Sequence, residues 1–189
     1  MSLRVKKLHG LDLRRFKTLI KKPDIDLDYL STGVCYGFFS GGEMVAGYCI
    51  VHAPLDEMIS ILQIPINQRK SIGTEDPFKY AELTGYFINS KKYRLVVKLH
   101  MLMKILLHKA SYFVYAYPTE QTNIEKQAAL GNPLRIYSGK PDVVIGGDGI
   151  LLPKSINVEI IAKGGISKIV LKQTMKKAKR WVYRLCNCG

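Results

Sequence analysis

The sequence predicts an α/β domain: a mixed, mostly antiparallel twisted sheet flanked by helices, with a C-terminal extension ending in a basic helix. Three stretches predict it. Residues 33–54, GVCYGFFSGGEMVAGYCIVHAP, set two aromatic and β-branched runs around a Gly-Gly turn, the pattern of a hairpin. Residues 80–110 read as a strand, YAELTGYFI, a short polar turn, and a long apolar helix, KYRLVVKLHMLMKILLHKA. Residues 111–139 continue the alternation with strand SYFVYAYP, short helix TNIEKQAALG and strand PLRIYSG. Helices that join consecutive strands imply parallel neighbours in the second half of the sheet.

The remaining elements follow in order. LRVKKLHG alternates apolar and polar residues, as a strand does. LDLRRFKTLIKK places Leu13, Phe16, Leu19 and Ile20 at helical spacing, and KPDIDLD breaks that helix. Pro54 stops the second run of the hairpin. Residues 55–80 predict a strand at Ile59 to Ile64 and then a loop punctuated by Gly73 and Pro77. The long helix is apolar on most sides, which predicts deep packing. Thr122 caps the short helix that follows and Gly131 ends it. KPDVVIGGDGILLPK reads as a second hairpin and NVEIIAK as a further strand. GISKIVLKQTMKKAKRWVYRL reads as a basic amphipathic helix with Ile169, Val170, Met175, Val182 and Leu185 inward. The division is a core domain over residues 1–139 and an extension over 140–189.

The 189 residues are 47% hydrophobic, enough for a substantial core. The apolar run from Leu95 to Leu107 is interrupted by Lys98, His100 and Lys104, so no transmembrane span is expected. MSLRVKKLHG has no apolar signal core, and a cytosolic protein is expected. Four cysteines are too few for a disulfide scaffold. With Phe39 opposite Met44, Cys35 falls opposite Tyr48 and Cys49 opposite Val34, which predicts thiols on opposite faces that cannot bond to each other. Cys186 and Cys188 read as free thiols, and no metal is expected. The net charge of +14 is the outlier. It favours an anionic partner: nucleic acid, a phosphorylated cofactor, an acidic carrier protein or a membrane surface. The excess concentrates beyond residue 163, where no Asp or Glu occurs.

The order and lengths of these elements resemble the GNAT superfamily of acyl-CoA-dependent N-acyltransferases. YGFFSGGEMVAGYCIVHAP is similar to the second and third strands of that family. ELTGYFINSKKYR with its apolar helix is similar to the central strand and cofactor turn. VYAYPTEQTNIEKQAALGNPLRIYSG is similar to the fifth strand, the next helix and the sixth strand. The resemblance covers about residues 3 to 138. It implies an acyl thioester, acetyl-CoA or another, as co-substrate, its pyrophosphate over the N-terminus of the long helix. The family turn carries a basic residue and then glycines. Here Arg94 matches the basic residue, while Val97 and Leu99 stand where small residues are usual. Lys91, Lys92 and Arg94 are therefore the expected anion contacts, and Asn123 the contact to the thioester arm or a helix cap. Backbone N–H groups near Phe87 and Ile88 are expected to polarise the thioester carbonyl. Branches that use acyl carrier protein depart from the glycine pattern in this way. They typically have Glu-hydrophobic-Ser-Arg-Phe where this chain has ELTGYF, with Gly85 in place of the arginine. Phage Mom-type adenine-modification proteins are also similar in ELTGYFIN and the 115–139 stretch, although their His-Tyr-Ser is absent here.

Candidate catalytic residues follow. Glu82 is either a general base toward an acceptor amine or a carboxylate exposed at a strand start. Tyr117 and Tyr137 are candidate acids for the leaving thiolate, or aromatic core with satisfied hydroxyls. Gly85 marks a bulge or a close ligand approach. His100, Lys104 and His108, at i, i+4 and i+8, form either a metal-binding pair or a solvated stripe, with the stripe preferred. His52 lies near Asp56 and Glu57, as a catalytic pair or a plain loop histidine. Lys168, Lys172, Lys176, Lys179 and Arg180 form the basic face of the last helix. It suits DNA phosphate, an acidic carrier, a membrane surface, or solvent alone. The leading expectation is acyl transfer to an amine. The alternatives are a phage-type DNA-modification or DNA-binding protein on the same fold, and a non-catalytic binding module.

Overall fold

The computed structural model describes residues 2–20, 25–69, 79–121, 129–142, 155–169, 171, 172 and 175. The elements are β1 (Arg4–Lys7), α1 (Gly10–Ile20), α2 (Leu27–Ser31), β2 (Val34–Ser40), β3 (Glu43–Val51), α3 (Ile59–Leu62), α4 (Ile66–Arg69), β4 (Tyr80–Ile88), α5 (Arg94–Leu107), β5 (Tyr112–Pro118), β6 (Leu134–Gly139) and β7 (Ile156–Ala162). A helix, α6, begins at residue 163. The strands form one seven-stranded sheet in the order β1-β2-β3-β4-β5-β7-β6. The β4–β5 pairing is parallel and the others are antiparallel, so the sheet is the mixed, mostly antiparallel one expected. Residues 122–128 of the expected short helix, Thr122 among them, and the second hairpin at 143–154 lie outside the described residues, while Ala129–Gly131 forms a 3-10 turn.

Two apolar layers cover the sheet. On one face, Phe38, Tyr48, Ala81 and Phe113 pack with Val97, Leu102 and Ile105 of α5 and Ile166 of α6. On the other, Phe16 of α1 and Leu30 of α2 pack with Cys35, Cys49 and Val51. Further along that face, Met58, Ile61, Val114 and Val158 form a third cluster.

The structure corrects four expectations. Cys35 lies directly opposite Cys49, and the two form a disulfide with Cα atoms 4.1 Å apart. A bulge inserts Val45 between the Phe39–Met44 and Phe38–Ala46 pairs. One extra residue turns every later side chain of β3 to the other face, which brings the two thiols together. Residues 59–64 are not a strand. Ile59–Leu62 is helical, after a 3-10 turn at Leu55–Glu57. Helix α5 is not packed on most sides: Leu95, Val96, Leu99, Met103 and Leu107 are all exposed. Met175 is exposed as well, although the pattern placed it inward.

Candidate functional site

Strands β4 and β5 pair through only three residue pairs, Tyr80–Tyr112 to Glu82–Val114. Beyond that point β4 stays with β3, and β5 stays with β7 up to Pro118. A cleft therefore opens between the two parallel strands. On β4, Gly85 and Tyr86 together oppose Tyr48, since Gly47 pairs with Phe87 and Cys49 with Thr84. This is the bulge that Gly85 predicts. Its φ of +63° requires glycine, and an added Cβ would meet Phe16 Cζ at 2.8 Å. Beyond the bulge, the Asn89 N–H donates to Val45 O of the β3 edge at 2.9 Å. Strand alternation then turns the Ile88 N–H toward the cleft, while Phe87 faces β3.

Helix α5 starts at the same end. Lys91–Tyr93 forms a 3-10 turn that runs into it, and neither Ser90 nor Tyr93 gives a side-chain cap. The first N–H groups of the helix thus point outward without a side-chain acceptor at either position. Lys91, Lys92 and Arg94 surround them and are exposed. Tyr93 fixes this start to the sheet through a hydrogen bond between its hydroxyl and Ser40 Oγ at 2.9 Å. Val97, which stands where a small residue is expected, is fully buried in the core. Asn123 lies outside the described residues.

The three candidate catalytic residues do not converge on one face. Glu82 is 1% exposed and lies on the α2–α3 side. It accepts hydrogen bonds from the Ser60 N–H at 2.9 Å, the Ile59 N–H at 3.1 Å, Ser60 Oγ and the Tyr29 hydroxyl. Glu82 is thus a buried carboxylate, not one exposed at a strand start. Burial, reinforced by the Glu82 charge, pushes the Tyr29 phenol far above its ordinary value. Tyr137 lies on the same side, packed with Met58 and Ile61, and its hydroxyl donates to Lys140 O.

Tyr117 faces the α5 side. Its hydroxyl donates to Glu159 Oε1 at 2.8 Å, and Tyr115 donates to Oε2 at 2.8 Å. Arg135 adds a salt bridge to the same carboxylate at 2.8 Å. Desolvation and then the bond to Glu159 push the Tyr117 phenol up to about 12. Sequence reading missed Glu159 altogether. Its signal was an acid at the centre of an apolar strand, NVEIIA.

The histidines also find partners the pattern did not name. His100 Nδ1 lies 2.9 Å from the Tyr48 hydroxyl, edge-on to Tyr36 and Phe38. Lys104 sits 5.4 Å above the Tyr36 ring. The expected solvated stripe of α5 instead packs on sheet aromatics. His108 stacks on His52 with centroids 4.3 Å apart. Lys168 and Lys172 are exposed, and Lys176, Lys179 and Arg180 lie outside the described residues.

This arrangement is the fold of the GNAT acyltransferases. The structure is similar to FeeM, an N-acyl amino acid synthase from uncultured soil microbes, with a TM-score of 0.58 and 13% identity over 92% of this chain and 98% of that one. It is similar to the AHL synthase LasI, with a TM-score of 0.56 and 12% identity over 88% and 94% of the two chains. A Bacillus subtilis acetyltransferase in complex with CoA gives a TM-score of 0.52 and 14% identity over 85% and 99%. No protein-family model and no curated protein sequence matches the chain.

Proposed function

We propose that the protein is an N-acyltransferase that moves an acyl group directly from a thioester, acyl-CoA or acyl carrier protein, to an amine. One observation carries this reading: the β4–β5 cleft opens beside an uncapped helix start ringed by three exposed cations. That is a place for an anionic head group and an extended thioester arm side by side. The Ile88 N–H donates to the thioester carbonyl oxygen and stabilises the charge that develops there. The amine nitrogen bonds to the carbonyl carbon, the carbon–sulfur bond breaks, the nitrogen loses a proton and the sulfur gains one.

In this reading Glu82 is a positioning residue that holds α3 against the sheet, because its oxygens already accept four donors. Tyr117 serves the Glu159 cluster, and its proton is directed at a carboxylate rather than at a leaving group. Lys91, Lys92 and Arg94 supply the charge that a glycine cradle supplies by close backbone approach.

The net charge of +14 favours a second reading, in which the fold binds duplex DNA. One set of titrations separates them. Acetyl-CoA, longer acyl-CoAs and duplex DNA are titrated into the protein by calorimetry. Micromolar binding of a CoA thioester, lost in Lys91→Glu/Arg94→Glu, supports acyl transfer. Salt-sensitive DNA binding without any thioester binding would replace it with the DNA reading.

A further inference from the structure

We propose that the outward face of α5, with the start of α6 beside it, docks the protein onto an anionic phospholipid membrane. The α5 side opposite the core shows Leu95, Val96, Leu99, Met103 and Leu107, exposed by 44, 47, 40, 53 and 74%. Four of them, at positions 95, 99, 103 and 107, are spaced by four and lie along one line of the helix. Water covers the apolar stripe, while the polar residues His100 and Lys104 pack against sheet aromatics. That inversion is costly in solution and favourable where the outer medium is itself apolar.

The setting of the stripe selects the partner. Lys91, Lys92 and Arg94 are exposed at one end of it and Lys109 at the other. From residue 83 to 119 the chain has no acidic residue. Helix α6 shares the α5 core cluster through Ile166 and Ile169, so it lies on the same side of the sheet. It repeats the combination, with Leu171 and Met175 63 and 53% exposed and Lys168 and Lys172 exposed beside them. Leucines flanked by lysines match an apolar layer under a negative head-group plane, with the lysine stems reaching along the interface. A second copy would oppose this basic surface with an equally basic one. Among the described residues no helix is long and apolar enough to cross a membrane, so α5 lies on the surface rather than spanning it.

The test is flotation of the full chain with vesicles of phosphatidylcholine alone and of phosphatidylcholine mixed with phosphatidylglycerol. The expected result is flotation with the mixed vesicles only, weakened by salt. Leu99→Asp/Met103→Asp should weaken it by roughly tenfold or more, a loss of about 1.4 kcal/mol. Leu11→Asp, on α1 across the sheet and 78% exposed, should leave it unchanged. Met103→Trp in a Trp181→Phe background, which removes the one native tryptophan, guards against a misfolded double variant: its fluorescence should shift to the blue on adding mixed vesicles. No flotation, an equal loss in Leu11→Asp, or an unshifted Met103→Trp spectrum would overturn the proposal. So would a stripe-dependent dimer in sedimentation without lipid, which would assign the face to a second copy. None of these readouts depends on thioester binding, so the proposal stands or falls apart from the acyltransferase reading.

Discussion

Glu82 and Ser60 are joined twice: Glu82 Oε1 accepts from the Ser60 N–H at 2.9 Å and from its hydroxyl. The carboxylate of the central strand thus holds the first turn of α3. Replacing it with Gln leaves a buried amide facing donors meant for a charge. Glu82→Gln should lower stability by about 2 kcal/mol in urea denaturation. The pH profile of any acyl transfer should keep its acidic limb in this variant. Loss of that limb would make Glu82 the proton acceptor rather than a positioning residue.

Gly85 sits at φ +63°, with Phe16 Cζ 2.8 Å from where a Cβ would stand. Gly85→Ala combines backbone strain with a clash against a fully buried ring. A loss of about 1–3 kcal/mol is expected. Because the bulge also aims the Ile88 N–H, kcat should fall more than KM rises.

His52 and His108 stack on each other; the Lys109 charge acts on His52 and the Lys163 charge on His108, and Lys163 Nζ donates to His108 O. Desolvation, then the His52 and Lys163 charges, hold His108 down to about 4 from 6.5. Burial and Lys109 lower His52 too. Both rings bind protons more readily in the unfolded chain. Stability is therefore full above pH 6.5 and falls as the pH drops toward 4. The ring is partly solvated, so the loss is on the order of 1 kcal/mol. Melting temperature measured against pH should show it, and His108→Gln should flatten the curve.

Cys35 and Cys49 close a loop with a sequence separation of 14. Such a loop restricts the unfolded chain by about 3 kcal/mol. Dithiothreitol should lower the urea midpoint of the native chain and leave Cys35→Ala/Cys49→Ala unchanged. Equal responses would show that the bond contributes nothing.

The strand–turn–helix at residues 80–107 and the hairpin at 34–51 were legible because period and turn chemistry act locally. The disulfide was not, since a single bulge residue, Val45, decides the register, and nothing in its local pattern marks it. Nor was α3 legible: a β-branched run became helical because Glu82, far along the chain, satisfies its first N–H groups. At the candidate site, the basic helix start with Lys91, Lys92 and Arg94 could be read directly. The roles of Glu82 and Tyr117 could not, because a strand pattern gives the face of a side chain only when its register is known. Both hydroxyl and carboxylate partners come from other strands and helices.

Strand β7 lies between β5 and β6, although it follows both in the chain. Until residues 156–162 are added, β5 and β6 both lack the strand they pair with, and each keeps an open edge. This part of the sheet closes only when β7 slides between them. A chain cut after Gly139 should therefore stick to other copies or recruit a chaperone, and one that continues through Ala162 should not.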